Sequence, residues 1–241
     1  MSGYQSVFRR VEVKFLLSAA QYWALVPVLE RYMVPDDFFK STISNLYYDT
    51  PNFQLVRTSL AKPAYKEKLR LRCYSVPAED TQSFVEIKKK VDGVVYKRRA
   101  DLPYGRALDY LAGEGPGGDS QIFRELDWFV QFYSGLSPAV FLSYNRVSFR
   151  GREDKNLRMT FDRDILWRAD HLDLSEGAWG QDLLQPGERL LEIKLTNAMP
   201  LWLADALSEL GIFPTGFSKY GAAYQTLLRQ QLTELRMKRY A

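Results

Sequence analysis

Short segments in which apolar and polar residues alternate recur along the whole chain. Because successive side chains of a β-strand point to opposite sides, this period of two indicates strands that bury one face. The alternation predicts eight strands, at residues 7–17, 42–49, 64–75, 83–91, 94–102, 139–150, 156–165 and 188–196. Asp92-Gly93 is the signal of a two-residue turn that joins the fourth and fifth strands into a hairpin.

Helical spacing and capping signals lie between these segments. Ser18, with Gln21 three residues later, resembles a capping box and predicts a helix that continues to about Met33. Further helices are predicted near 104–112, at 121–134, between Pro200 and Gly211, and at 221–239. Neither an internal repeat nor a domain boundary is evident. We therefore expect a single domain over residues 1–241, of the α+β class and dominated by antiparallel strands.

Composition excludes several classes of protein. Of the 241 residues, 46% are hydrophobic and 26% are charged, as in a globular chain and unlike a disordered one. No apolar run reaches the roughly 18–20 residues of a membrane span, and the N-terminal residues show no secretory signal, so we expect no membrane insertion. One cysteine, Cys73, and one histidine, His171, exclude an internal disulfide and a Cys/His metal cage. A reducing cytoplasmic location is expected.

Charged residues occupy one face of the predicted strands. Four cations lie on this face of the third strand: Lys66, Lys68, Arg70 and Arg72. The predicted hairpin register places Lys88 opposite Lys97. It also places Glu86 opposite Arg99. The same face of the other strands carries Arg10, Glu12, Lys14, Tyr144, Arg146, Ser148, Arg158, Thr160, Asp162, Glu192 and Lys194.

Such a concentration of cations lowers the stability of a sheet, and a chain whose net charge is only +4 has no need to concentrate its cations in this way. Like charges opposite each other destabilise a sheet. Two of them about 4 Å apart repel by roughly 4 kcal/mol at an effective dielectric constant near 20. An anion held among the cations explains the pattern, and the alternative is a sheet whose polar face is simply solvated.

The arrangement favours a chain of phosphates over nucleic acid. Duplex DNA is read by a helix or a ribbon with basic tips, whereas these charges line strand interiors. Single-stranded nucleic acid prefers a groove with aromatic side chains for stacking, and few aromatics lie among the basic positions of 66–72. The chain also lacks the GxxxxGK[ST] motif, so a P-loop is excluded.

An ordered set of short motifs resembles one known family. The motifs are Glu12-Val13-Lys14, Lys68-Leu69-Arg70-Leu71-Arg72, Glu86-Ile87-Lys88, Tyr144-Asn145-Arg146, Arg158 ahead of Phe161-Asp162, Leu191-Glu192-Ile193-Lys194 and Phe217-Ser218-Lys219-Tyr220. Together, over about residues 8–225, they resemble the polyphosphate-polymerase (VTC, vacuolar transporter chaperone) domain of the triphosphate tunnel metalloenzyme superfamily. The resemblance implies an eight-stranded antiparallel β tunnel, or barrel, with surrounding helices.

The resemblance also implies an activity. Hydrolytic relatives carry an E-x-E-x-K signature in the first strand, whereas this chain has Arg10 at the first position. The departure favours the polymerase-like branch, which transfers the γ-phosphoryl group of ATP to a growing polyphosphate chain with Mn²⁺ or Mg²⁺. The implied partners are ATP and polyphosphate or triphosphate, with no nucleic acid. The oligomeric state stays open.

The implied site residues follow from their chemistry, because Arg grips two phosphate oxygens at once and a hard divalent cation prefers carboxylate oxygen. The candidate catalytic residues are Arg70, Arg72, Lys88, Arg146 and Arg158. The candidate substrate-binding residues are Arg10, Lys14, Lys68, Lys97, Arg99, Tyr144, Lys194 and Lys219. The candidate metal ligands are Glu192 and Glu12.

Alternatives remain at this stage. Glu12 and Glu86 have a plain role as ion-pair partners of neighbouring cations, and Tyr144 is either a stacking partner for adenine or a packing residue. The rival functions are a triphosphatase on the same fold, a non-catalytic polyphosphate-binding module and an RNA-binding module.

Overall fold

Eight strands form one antiparallel sheet that curls into a tunnel. The computed structural model describes residues 11–92, 94–196 and 198–240. The strands are β1 (Val11–Leu17), β2 (Met33–Asp49), β3 (Tyr65–Cys73), β4 (Gln82–Val91), β5 (Val94–Pro103), β6 (Ser137–Gly151), β7 (Arg158–Arg168), β8 (Gln181–Asp182) and β9 (Arg189–Leu195). Their order in space is β1-β9-β7-β6-β2-β3-β4-β5, and the short β8 pairs with β7 outside this path.

The described residues form six helices, which surround the sheet. They are α1 (Ala19–Tyr32), α2 (Gln54–Leu60), α3 (Tyr104–Ala112), α4 (Gln121–Phe132), α5 (Leu201–Glu209) and α6 (Lys219–Tyr240). The capping box at the start of α1 is present, because Ser18 Oγ accepts from the Gln21 amide and Gln21 Oε1 accepts from the Ser18 amide. No helix within the described ranges is long and apolar enough to cross a membrane.

Three features of the fold were not predicted, and the short β8 is one of them. The strand β2 begins at Met33 and not at residue 42, since residues 36–39 bulge out of the ladder with β6 and break the alternation. The helix α2 has only seven residues. Its start depends on Asp49, whose carboxylate accepts hydrogen bonds from the Leu55 and Val56 amides, at 2.9 and 3.0 Å. Residues 7–10 of the first predicted strand lie outside the described residues.

The apolar face of the sheet points outward and is covered by helices. On one side, Leu69, Leu71 and Ile87 pack under α3 and α4. On the other, Phe15 and Ile193 pack under α1 and α5. The polar face is therefore the inner one, as the one-sided charge pattern and the tunnel fold predicted.

Apolar residues fill one part of the interior. Tyr220, Ala223 and Tyr224 in the first turns of α6 pack against inward-facing Leu142 and Leu190. The ring of Tyr220 also stacks on Tyr47 of β2, with centroids 4.6 Å apart. The helix α6 thus closes this part of the tunnel and leaves the charged part accessible.

The sheet is not fully closed by strand pairing. In the described part of the chain, no ladder joins β1 to β5, the two ends of the strand order. The free edge of β1 is covered by the segment before α6, through a bridge between Phe15 and Pro214 and a 2.7 Å hydrogen bond from the Thr215 amide to the Lys14 carbonyl. We call this junction the seam.

Candidate functional site

Four cations surround one buried carboxylate on the inner face of β3, β4 and β5. Glu86 is 1% exposed, and its carboxylate lies 2.7 Å from Arg70 and 2.6 Å from both Lys97 and Arg99. Arg72 lies 3.8 Å away. Burial alone would raise the pKa of Glu86, but Arg70 and Arg72 hold it well below its usual value. We call Glu86 and these four basic residues the Glu86 cluster. It carries more positive charge than its one carboxylate neutralises.

A second buried carboxylate holds cations on the opposite wall. Asp162 of β7 is fully buried and receives a bidentate pair of hydrogen bonds from Arg146 of β6, at 2.6 and 2.8 Å. Lys219, the first residue of α6, donates to the same carboxylate at 2.5 Å. Burial opposes ionisation, but Lys219 and Arg146 together lower the pKa of Asp162. We call these three residues the Asp162 cluster.

Uncharged side chains of β2 and β6 fix the position of Arg72. Asn45 Oδ1 accepts from Arg72 Nε at 2.9 Å, and Tyr144 Oη accepts from Arg72 Nη2 at 3.2 Å. Tyr144 is 4% exposed, and its ring lies 4.4 Å from Lys219 Nζ and 5.2 Å from the guanidinium of Arg146. These contacts support the packing role for Tyr144 among the cations, and its hydroxyl orients an arginine.

Tyr47 was missed by the sequence analysis. Its hydroxyl accepts from Arg70 Nη1 at 3.1 Å, and the residue is 8% exposed. Burial alone would raise the pKa of this phenol, but Arg70 and Lys68 lower it to about 7. One signal could have identified Asn45 and Tyr47. They lie two and four residues after Ile43 on the strand β2, so they point to the same inner face as Ile43. The charge pattern gave no signal for them, because neither carries a formal charge.

Two carboxylates share a lysine where β1 meets β9. Lys14 Nζ lies 3.5 Å from Glu12 and 3.7 Å from Glu192, and Lys194 Nζ lies 2.7 Å from Glu192. From across the tunnel, Lys88 Nζ of β4 reaches Glu12 at 3.3 Å. The strand β1, at one end of the sheet order, therefore contacts β4, the second strand from the other end, through side chains, and the charged face encloses a common space.

Both of these carboxylates are held in the ionised form. Burial would raise the pKa of Glu12, but the Lys88 ammonium group lowers it below its usual value. Burial likewise opposes ionisation of Glu192, whereas Lys194 and Lys14 hold its pKa well below the usual range. Ionised oxygens are the form that binds a cation.

An open cavity of about 800 Å³ adjoins these residues at the seam. Its walls come from β1, β3, β4 and the start of β5, together with the loop before β3 and residues 215–218. Six lysines line it: Lys14, Lys62, Lys66, Lys68, Lys88 and Lys90. We call it the lysine cavity. Lys62, Lys66 and Lys90 were not among the predicted site residues.

The structure brings most of the predicted residues to the inner face. Cross-strand pairing places on it Glu12, Lys14, Lys68, Arg70, Arg72, Lys88, Lys97, Arg99, Tyr144, Arg146, Glu192 and Lys194, and α6 adds Lys219. Arg158 lies opposite Lys194 and so shares this face, but its side chain is 48% exposed and pairs with Asp36 at 3.4 Å. Arg10 lies outside the described residues. The roles of all these residues stay predictions.

Comparisons with known proteins agree with this architecture. A model of the VTC domain family matches residues 9–228. The fold is similar to that of a candidate adenylate cyclase from Bacillus halodurans, with a TM-score of 0.57, 15% identity, and coverage of 89% of this chain and 96% of that chain. It is also similar to a candidate adenylyl cyclase from Hippeastrum that has a dominant triphosphatase activity. That match has a TM-score of 0.53 and 17% identity, and covers 90% of this chain and 96% of that chain. Curated protein sequences give no significant match.

Proposed function

This chain belongs to the VTC domain family, and on that premise we propose that it is a phosphoryl-transfer enzyme for triphosphate chains. The proposed reaction transfers the γ-phosphoryl group of ATP to a growing polyphosphate chain inside the tunnel. The observation that carries the proposal is the convergence of cationic side chains from separate strands on one enclosed face with few carboxylates. A confined excess of positive charge attracts and orients a polyanion.

The proposed chemistry uses the Glu86 cluster to hold phosphate oxygens. Phosphoryl transfer depends mainly on in-line positioning and on neutralising charge at the equatorial oxygens. The guanidinium groups of Arg70 and Arg72 suit this because each can grip two oxygens. Since Glu86, Asn45 and Tyr144 already fix the two arginines, little side-chain freedom is lost when a phosphate binds.

The opposite wall supplies a second set of contacts. We assign Arg146 and Lys219 to phosphate binding, and Asp162 to holding them in place. Lys88 of β4 reaches towards β1 and pairs only with Glu12, at 3.3 Å, among the described residues. Because it has a single carboxylate partner, Lys88 is the cation best placed to leave that partner and bind a phosphate oxygen instead.

The donor set fits one divalent cation. Glu12 and Glu192 are ionised and face the same space. Thr160 pairs with Glu192 across the strands, and its buried hydroxyl has no hydrogen-bond partner among the described residues, as expected beside an absent ligand. The described residues form no group of three or more metal-binding side chains, so phosphate oxygens and water would complete the coordination. When bound, Mn²⁺ or Mg²⁺ would neutralise phosphate charge. We propose Glu192 and Glu12 as its ligands.

The product of turnover tests this proposal. The protein is incubated with ATP and Mn²⁺, with ATP and Mg²⁺, and with ATP and a chelator, and the products are separated on a gel that resolves polyphosphate. Long polyphosphate with a metal ion and none with the chelator is the expected result. Release of orthophosphate as the only product would contradict the polymerase reaction and favour hydrolysis.

Hydrolysis of triphosphate is the second candidate. It is favoured by the fold shared with the Hippeastrum protein and by the retention of Glu12 beside Glu192, a two-carboxylate arrangement that suits a metal-dependent hydrolase equally well. In that case water replaces the phosphate acceptor. Tripolyphosphate given as substrate would yield orthophosphate and pyrophosphate and no longer chains.

A non-catalytic phosphate-binding module is the third candidate. It predicts tight binding of tripolyphosphate without turnover of ATP or tripolyphosphate with any divalent metal. A reducing cytoplasmic location remains part of the proposal, on the ground that the chain has a single cysteine, Cys73.

A further inference from the structure

The helix α6 packs against the core only through its first half. Tyr220, Ala223 and Tyr224 are buried there, whereas every side chain from residue 231 to residue 238 is exposed. We call residues 228–238 the outer half of α6. Isolated helices shorter than about 12–15 residues are marginally stable in water, because most helices gain their stability from packing. The outer half of α6 has little packing of this kind.

Three exposed leucines form a stripe along the outer half of α6. Leu228, Leu232 and Leu235 are 37%, 59% and 64% exposed. Their spacing of four and then three residues places them on one face, at the d, a and d positions of a heptad repeat. A narrow seam of a and d residues is typical of a helix that pairs with another helix. We call these three residues the leucine stripe.

The leucine stripe continues a helix–helix contact that exists inside the protein. Gly221 occupies the d position seven residues before Leu228, and a Cβ added to it would lie 2.8 Å from Leu60 Cδ2 of α2. One turn later, the ring of Tyr224 packs on Phe53, just before α2 begins, with the centroids 5.0 Å apart. Because α2 has only seven residues, it covers this first part of the face and leaves the leucine stripe exposed.

A contact on the other side of the helix fixes the direction of the stripe. Gln230 Nε2 donates to Gln181 Oε1 of β8 at 2.7 Å. Gln230 lies two residues from both Leu228 and Leu232, which is about 200° around a helix of 3.6 residues per turn. The leucine stripe therefore points away from β8.

The charges that flank the stripe indicate what it binds. Arg229 and Arg236 occupy e positions and Lys238 a g position, and Glu234 is the one carboxylate between residues 225 and 238. Side chains at e and g contact the partner helix and determine partner choice. A second copy of this chain would bring only arginine, lysine and Gln231 to these positions. A helix with carboxylates at e and g is complementary.

The same half of the helix is poorly suited to a lipid surface. A helix that lies on a membrane buries a broad apolar face that carries Trp, Phe and Leu. The outer half of α6 contains neither Trp nor Phe. Its one further large apolar residue, Met237, comes two residues after Leu235 and so lies on the opposite side of the helix.

We propose that the leucine stripe is a docking site for an acidic amphipathic helix of a partner protein. The partner packs its apolar seam on the three leucines, and its carboxylates pair with Arg229, Arg236 and Lys238. The first residue of α6, Lys219, belongs to the Asp162 cluster, so the partner is held on the same helix as a residue of the proposed phosphate site. The inference goes beyond the proposed function and does not depend on it.

Two synthetic helices that differ only in charge test the inference. Each has three heptads with Ile at a and Leu at d, and carries either Glu or Lys at every e and g position. Binding of each labelled peptide to the full chain is measured by fluorescence anisotropy. We expect the acidic helix to bind at least about tenfold more tightly than the basic helix. It should also slow hydrogen exchange of the backbone amides in the outer half of α6.

Substitutions in the stripe should remove this binding. A stripe variant with Leu232→Gln and Leu235→Gln should lose about tenfold or more of its affinity for the acidic helix, because two central apolar contacts are lost. The control variant carries Met237→Gln and Leu201→Gln, at residues 69% and 80% exposed outside the stripe, and should bind as the wild type does. Urea unfolding verifies that both variants keep the fold.

Reversal of the flanking charges should exchange the preferred peptide. A variant with Arg229→Glu, Arg236→Glu and Lys238→Glu should bind the basic helix at least about tenfold more tightly than the acidic one. A change in preference of this kind depends on the charges at e and g and not on a general loss of stability.

Four outcomes would overturn the inference. Equal affinity for the two peptides would show that charge does not select the partner. Binding of neither peptide, or undiminished binding by the stripe variant, would show that the stripe is not a docking site for this class of helix. Dimerisation in sedimentation experiments that is lost in the stripe variant would assign the stripe to a second copy. Stripe-dependent binding to phosphatidylserine vesicles, with no binding of either peptide, would assign it to a lipid surface. None of these measurements requires turnover of ATP, so a failure of the proposed function would leave them interpretable.

Discussion

The Glu86 cluster and the lysine cavity lie on the same face of the same strands, yet they handle positive charge in opposite ways. In the Glu86 cluster, Arg70, Lys97 and Arg99 lie 2.6–2.7 Å from one buried carboxylate, and Arg72 lies 3.8 Å away. In the lysine cavity, the side chains end in ammonium groups, and four of the six make no ion pair within the described residues. The first arrangement fixes geometry, and the second provides a diffuse attraction. Under the proposed function, the fixed arginines suit phosphates that must be held in one geometry for transfer.

Removal of the central carboxylate should break the Glu86 cluster most severely. Glu86→Gln leaves Arg70 and its neighbours buried without a counter-charge, so we expect the free energy of unfolding to fall by about 3–5 kcal/mol. Urea unfolding measures the change. Glu125→Gln, which affects the more exposed pair with Arg98, should cost at most about 1 kcal/mol.

The same variant distinguishes an anion site from a merely structural ion-pair network. Tripolyphosphate should stabilise Glu86→Gln more than it stabilises the wild type, because the ligand supplies the missing negative charge. Equal stabilisation of both proteins would indicate that phosphate does not reach this cluster.

A substitution of Glu192 tests whether the proposed metal site exists. If it is a metal ligand, Glu192→Gln should lower the rate of ATP turnover about 100-fold or more, while the affinity for tripolyphosphate without metal stays equal or rises. Glu188→Gln, in the turn before β9, is the matched control and should retain activity. Turnover by Glu192→Gln within about threefold of the wild-type rate would remove Glu192 from the proposed metal site.

Tyr47 gives the Glu86 region a pH dependence. Its pKa is about 7 in the fold, against an ordinary value near 10, so the phenolate is favoured by the folded state. The stability that it contributes should grow as the pH rises from about 7 towards 10 and should be lost as the pH falls through about 7.

The free energies of unfolding of wild type and Tyr47→Phe should therefore diverge by about 2 kcal/mol between pH 7 and pH 9, a window of about two pKa units. Tyr32→Phe, at an exposed ring stacked on Trp202, serves as the control. A difference between wild type and Tyr47→Phe that is the same at every pH would show that Tyr47 stays protonated.

Arg158 should give the smallest effect. Its pair with Asp36 is at the rim and half exposed, so we expect Arg158→Gln to change the free energy of unfolding by less than about 1 kcal/mol. Any loss of activity in this variant would then report on phosphate contact and not on folding. A large loss of stability would mean that the pair is more important to the rim than its exposure suggests.

The sequence predicted the strand register well where charge and turn chemistry agreed. The Asp92-Gly93 signal placed Lys88 opposite Lys97 and Glu86 opposite Arg99, and both pairings are present. Period-two alternation located the main strands, apart from the first part of β2, because their outward faces are largely apolar and pack under helices. The resemblance to the VTC domain family was confirmed by the match over residues 9–228.

Other features depend on contacts that no local pattern encodes. The capping of α2 by Asp49 and the contact of Tyr47 with Arg70 each join side chains from separate elements. The lysine cavity forms only when the start of β1 approaches β4. Lys66 was recognised as part of a charged strand, but Lys62 in the preceding loop carried no signal of a shared space.

The wall of the tunnel has its fewest backbone hydrogen bonds at the seam. Seven ladders join the eight main strands, whereas in the described residues β1 is tied to its other neighbours by a single bridge, a single amide hydrogen bond and the pair between Glu12 and Lys88. Separation there breaks the fewest bonds, so backbone amides along it should exchange with deuterium before those of any ladder. If ladders joined all the strands into a closed ring, a polymer could enter the tunnel only by its end. Under the proposed function, opening of this lightly bonded side would let a long phosphate chain enter the tunnel sideways.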